Sequence, residues 1–176
     1  MLALDSPEWS LINASSGGTG RLAASLLRRV KAGDISAFDE LQHQLCHQFT
    51  VGAVAYLAMP HLIEIARSSD GGFRVRALVM IGTIVAARAA HPTSAAPLAE
   101  AWRHDYEEAL ADAMALVAGA LRGPGLKPEE SQELIAAAAA LHRHTNLAMH
   151  LFLHGGSTDL SCPECGELIE FGESSD

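Results

Sequence analysis

The residues best equipped for chemistry sit near the end of the 176-residue chain, in the stretch LSCPECGEL, residues 160 to 168. Cys162 and Cys165 form a C-x-x-C turn there around Pro163 and Glu164, with Gly166 just after. Such a turn points two thiolates to one side and leaves backbone amides to donate to the sulfurs. A closed structural zinc takes four ligands, so the turn supplies half a site. No second C-x-x-C exists, and the third cysteine is Cys46. His150 and His154 are the nearest further candidates; four residues apart, they share one face of a helix. The full pattern reads H-x3-H-x7-C-x2-C, an inversion of the usual order, and Gly155-Gly156 lets the chain turn back between the halves. The expected metal set is therefore Cys162, Cys165, His154 and His150, holding zinc in a structural role. His142 and His144 are reserve ligands. Two other readings compete: two knuckles pooling four cysteines across a homodimer, and a plain turn with free thiols.

Redox chemistry is the weaker use of the pair. Thioredoxin-type motifs sit at a helix N-terminus that lowers a thiol pKa, whereas Glu164 and Glu167 here would raise it. Cys46 lies between His43 and His47, which invites a nucleophile–base reading. Adjacent helical positions diverge by about 100 degrees, so Cys46 and His47 face different ways and Cys46 reads as a small buried hydrophobe. Tyr56, His61, Glu64 and His47, with His43, form a second candidate cluster if their neighbouring helices bring them to one surface. The alternative for them is ordinary capping and exposed polar positions. No acid/base, phosphate or triad template is met.

The elements that would position these groups are helices. Hydrophobic residues make up 49 % of the chain, charged residues 19 % and aromatics 5 %, so Ala, Leu and Val must build the interior. In DISAFDELQHQLCHQF the apolar residues Ile35, Phe38, Leu41, Leu45 and Phe49 recur every three or four positions, predicting one helix through residue 49. TVGAVAYLAMPHLIEIARSSDGG predicts another, with a kink or restart at Pro60. FRVRALVMIGTIVAARAAH is apolar on nearly all sides, as suits a sandwiched helix. Further helices follow over 98–121 and from Pro128, where proline and acids open the first turn. TNLAMHLFLHGG continues or follows that last helix. No period-two strand is expected before residue 160, and ELIEFGE reads as one arm of a small hairpin. The expected organisation is an irregular lead-in over 1–19 with a short turn at Trp9, a helical domain over 20–156, and an acidic tail over 157–176.

YLAMPHLIEIA, Tyr56 to Ala66, resembles the second-helix pattern of HEAT-like and armadillo-like repeats. With VRALVMIGTIVAA and LIAAAAALHRHTNLAMHL, the chain is similar over roughly residues 34 to 168 to bacterial HEAT-like repeat proteins, some ending in a C-P-x-C-G tail. The resemblance implies an all-α, irregular HEAT-like stack of about three helical hairpins, with a small C-terminal knuckle. Such stacks present extended concave faces to other proteins.

Net charge is −9, and six of the acids fall after residue 156, where no Lys or Arg occurs. Nucleic-acid binding needs the opposite sign. The expected partner is a basic protein, and the expected role is a non-enzymatic protein-binding module, with inhibition of a cognate toxin (an immunity role) as the closest analogy. A metal-dependent enzyme drawing on the nine histidines is the alternative. No apolar run reaches the roughly 20 residues of a membrane span. The N-terminus lacks a signal-peptide pattern, and an odd cysteine count speaks against a secreted disulfide framework, so a cytoplasmic location is expected.

Overall fold

The computed structural model describes residues 1–15 and 17–154, together with the backbone of 160–161 and 168–169. Its fold is all-α, 70 % helical, with seven α-helices among the described residues. A short 3-10 helix, Pro7–Leu11, is followed by α1 (Gly20–Lys31), α2 (Ala37–Leu45), α3 (Ala53–Ser68) and α4 (Gly71–Ala90). Then come α5 (Glu100–Leu121), α6 (Pro128–Leu141) and α7 (Thr145–Leu153).

Local chemistry sets the helix ends. Pro128 opens α6, where its missing N–H removes nothing the helix needs, and Glu130 accepts from the Lys127 backbone N–H at 3.0 Å. Arg28, Arg29 and Lys31 fill the last turn of α1, opposite the negative end of its dipole. Burial then follows the apolar stripes. α1 buries Ala23, Leu26, Leu27 and Val30, and α2 buries Phe38, Leu41 and Leu45.

Consecutive helices pair, α1 with α2, α3 with α4 and α5 with α6, giving three hairpins. α1, α3 and α5 make one layer, and α4 packs on α6 in the other, with α7 against both. The Ala-rich interior explains how closely they approach. Ala55, Ala58, Ala77, Ala87, Ala113 and Ala137 are all fully buried, so backbones meet where side chains end. No helix among the described residues is long and apolar enough to cross a membrane.

Three features differ from the sequence expectation. The first helix-like run stops at Leu45, where Cys46–His47 (β1) and Thr50–Val51 (β2) pair as a two-residue antiparallel hairpin. Gln48 and Phe49 form its loop at φ 49° and 57°. Leu45 and Phe49 keep helical spacing, but Phe49 reaches the core from a turn. Positive φ at both loop positions marks the turn that Asn-Gly favours, and glutamine has no such preference. Gln48→Gly should therefore raise the unfolding free energy by about 0.5–1 kcal/mol. Urea denaturation checks this, and a destabilised variant would contradict the left-handed turn.

The second difference is that α3 runs through Pro60 without a restart. Proline in a helix interior costs about 3 kcal/mol. Eleven of the sixteen α3 residues are buried, each large one contributing about 1.5–3 kcal/mol, so packing outweighs the lost bond. The third concerns the N-terminal lead-in, which belongs to the core. Trp9, Ile12 and Ala14 are buried, and three successive carbonyls there accept side-chain donors. His61 Nε2 reaches Leu2 O at 2.9 Å, Trp9 Nε1 reaches Ala3 O at 2.9 Å, and an Arg28 guanidinium nitrogen reaches Leu4 O at 3.0 Å.

Candidate functional site

α7 brings two of the four predicted metal ligands together. The ring centres of His150 and His154 are 5.0 Å apart. With zinc–nitrogen bonds of about 2.0–2.1 Å, the metal stands roughly 3.2 Å from each ring centre, and a tetrahedral angle separates the centres by about 5 Å. The helical i, i+4 spacing thus sets the ring centres at a distance compatible with a shared metal. Beyond α7, Leu160–Ser161 (β3) and Leu168–Ile169 (β4) pair antiparallel. The hairpin expected from ELIEFGE is present. Cys162 and Cys165 fall between its strands in sequence and lie outside the described residues. Among the described residues, no three His, Cys, Asp or Glu side chains gather closely enough to hold a metal.

The second predicted cluster divides three ways. His47 pairs with His43 at the α2–β1 corner, ring centres 5.9 Å apart and both exposed. Cys46 is partly buried beside them, and burial pushes its thiol up to about 11, which keeps it protonated and unreactive at neutral pH.

His61 and Glu64 meet instead at Lys31. The His61 side chain is 2 % exposed and satisfied on both nitrogens: Nε2 donates to Leu2 O, and Nδ1 accepts from Lys31 Nζ at 2.8 Å. Lys31 also pairs with Glu64. The Lys31 contact fixes the neutral tautomer. Burial first, and then the Lys31 charge, hold the His61 pKa down to about 4. A ring so enclosed is a structural clasp between α1, α3 and the N-terminal segment.

Tyr56 goes to a third place, and this is the grouping that sequence spacing did not announce. Its hydroxyl donates to Ala96 O at 2.7 Å, and its ring meets Tyr106 edge-on at 5.4 Å. Arg88 of α4 lies over both rings, 5.0 Å from the Tyr56 centre and 5.1 Å from the Tyr106 centre, and donates toward the Tyr106 hydroxyl. Burial raises both phenols, with Arg88 pulling the other way. Arg88 and Tyr106 of this cradle line a cleft of about 570 Å³ that α5 and the end of α6 complete. Leu110, Met114 and Leu141 give it apolar walls, and Arg103 and Arg143 line it as well.

No family model, curated protein or solved structure matches the chain.

The chain's own surfaces carry the functional reading, and α5 dominates them. This 22-residue helix buries only the narrow stripe Tyr106, Ala109, Ala113 and Val117. It carries Glu100, Asp105, Glu107, Glu108 and Asp112 against a single arginine, Arg103. Arg67 of α3 pairs with Asp112 at 2.7 Å, and Arg103 with Glu100 at 2.8 Å. Among the described residues, Glu107 and Glu108 are exposed with no Lys or Arg ion pair, and Glu108 lies 3.6 Å from His104. Together with Glu64 of α3, the carboxylates Asp105, Glu108 and Asp112 edge a cleft of about 200 Å³ that also contains Pro60, Ile63 and Ala109.

Proposed function

We propose that the protein is a non-enzymatic helical-repeat module, HEAT-like in character, that binds a basic protein along α5 and the adjoining edge of α3. The exposed acidic face of α5 carries this reading. A long helix with one buried stripe leaves most of its surface for a partner, and its excess of carboxylates over cations steers a basic one toward it. The interleaved Pro60, Ile63 and Ala109 supply apolar area to bury once the partner arrives. Among such roles, inhibition of a cognate toxin suits a small acidic helical stack, by analogy of architecture alone. Cross-linking of the protein to its co-purified partner tests the placement. Cross-links should converge on α5 and α3; convergence on α1 and α2 would overturn it.

A zinc-closed tail accompanies this reading, favoured by the metal-compatible separation of the His150 and His154 ring centres. The proposed set is Cys162, Cys165, His154 and His150, structural in role. The helical core stands without it, so metal orders the tail and does not create the domain. Cys162→Ser should abolish stoichiometric zinc in the purified protein while leaving the far-ultraviolet circular dichroism nearly unchanged. His154→Ala should weaken zinc binding by about 10–100-fold or more. Zinc that survives His154→Ala and His150→Ala but is lost on dilution would place the missing ligands in a second subunit of a homodimer. Metal-free protein with two freely titrating thiols would refute the site.

A further inference from the structure

Arg88 bears a charge that no carboxylate among the described residues pairs with, in a position built to hold it still. Its guanidinium rests on the Tyr56 and Tyr106 rings, and α4, α3 and α5 supply the three parts. A long cationic side chain normally gives up rotamer freedom when it binds a ligand, and stacking has already removed that cost here. Arg143, just beyond α6, is exposed and likewise lacks a carboxylate partner among the described residues. Its backbone sits at φ 65°, which fixes the direction in which the chain leaves the helix beside the cleft.

The local charge count selects the ligand. Glu100 binds Arg103 and Glu107 adds to the field on it, so three guanidinium groups face two carboxylates. Among the described residues, one positive charge is left over. A phosphate ester, near −2 at neutral pH, would overshoot it, whereas a carboxylate matches it and meets arginine with two parallel hydrogen bonds. The remaining lining is aliphatic, and a volume of about 570 Å³ falls within the span of small-molecule sites.

We propose that the cleft between α4, α5 and the end of α6 binds a small monocarboxylate with an apolar body, its carboxylate on Arg88 and its body against Leu110, Met114 and Leu141. This site adjoins the acidic face proposed for the partner and shares Glu107 with it, but it does not rest on that reading.

Octanoate is the probe, titrated into the full chain by calorimetry. Saturable one-to-one binding is expected, about ten-fold or more tighter than binding of the uncharged 1-octanol, because the alcohol leaves the arginine without its anion. Octyl phosphate should bind more weakly than octanoate. Arg88→Met should weaken octanoate about ten-fold or more, while Arg122→Gln, at an exposed position that does not line the cleft, should change it by less than about three-fold. Because Arg88 also packs on two tyrosines, a second variant guards against loss of fold: Ala111→Trp, at an exposed position lining the cleft, should remove binding with the melting temperature unchanged. Absence of saturable binding at millimolar octanoate would overturn the proposal. So would equal affinity for octanoate in wild type and a folded Ala111→Trp protein.

Discussion

Replacing Gly82 with valine will lower the unfolding free energy by about 3 kcal/mol, at the upper end of what overpacking a core usually costs. A Cβ on Gly82 would stand 2.5 Å from both Cα and Cβ of Ala137, on the facing helix α6. Those atoms belong to or adjoin backbone, so they cannot rotate aside, and α4 and α6 must separate. Even Gly82→Ala should destabilise, although alanine alone would return about 1 kcal/mol of helix propensity. The matched control is Gly119 in α5, where nothing lies within 4 Å of the added atom. Gly119→Ala should stabilise by about 0.5–1 kcal/mol. The same change therefore acts with opposite signs at two helical glycines. In thermal denaturation, Gly82→Val should melt about 6–12 °C below wild type. A midpoint within about 2 °C of wild type would show that α4 and α6 do not touch there.

Acidification should produce an effect of similar size through His61. Its folded pKa of about 4 lies below the ordinary 6.5. Above pH 6.5 neither the folded nor the unfolded state holds the extra proton, and the network's stability is fully present. Between 6.5 and 4 the unfolded chain takes up a proton that the native ring refuses, so stability falls with pH. Below 4 both states are protonated and this source of loss levels off. At about 1.4 kcal/mol per pH unit, the full drop is roughly 3 kcal/mol. Denaturant titrations at pH 7 and pH 5 should already differ by about 2 kcal/mol of that drop. His61→Gln should flatten that part of the profile while lowering stability at pH 7, because Lys31 and the Leu2 carbonyl each lose a partner. A His61 resonance titrating near 6.5 in the native protein would contradict the enclosed clasp.

Much of this architecture is legible in spacing alone. The three-and-four periodicity of Phe38, Leu41 and Leu45 places α2, and Pro128-Glu129-Glu130 places the start of α6, because both signals are local. The β1–β2 hairpin escapes for an instructive reason. Phe49 keeps the helical register of Leu45, and nothing in Gln48-Phe49 advertises left-handed backbone. Pro60 does not end α3, since a local rule about amide donors yields to the burial of the helix as a whole.

Sites depend still more on distant partners. The spacing of His150 and His154 needs only one helix, and the structure brings those rings together. His61 bonds a carbonyl 59 residues away, and the Arg88 cradle draws Tyr56 and Tyr106 from two other helices. No motif encodes either arrangement. A half-buried arginine among tyrosines shows its meaning only when no carboxylate among the described residues proves to pair with it.

The central claim is that an acidic face on α5 recruits a basic protein. Affinity capture from the native host tests it most directly, run side by side with wild type and with a Glu107→Lys/Glu108→Lys double variant. Both positions are exposed, so the variant should fold normally. At about 0.1 M salt, where the Debye length is about 10 Å, wild type should retain one basic protein and the double variant should not. Raising salt should release that protein from wild type. Equal retention by the two, or salt-sensitive retention of DNA or RNA in place of protein, would contradict the account.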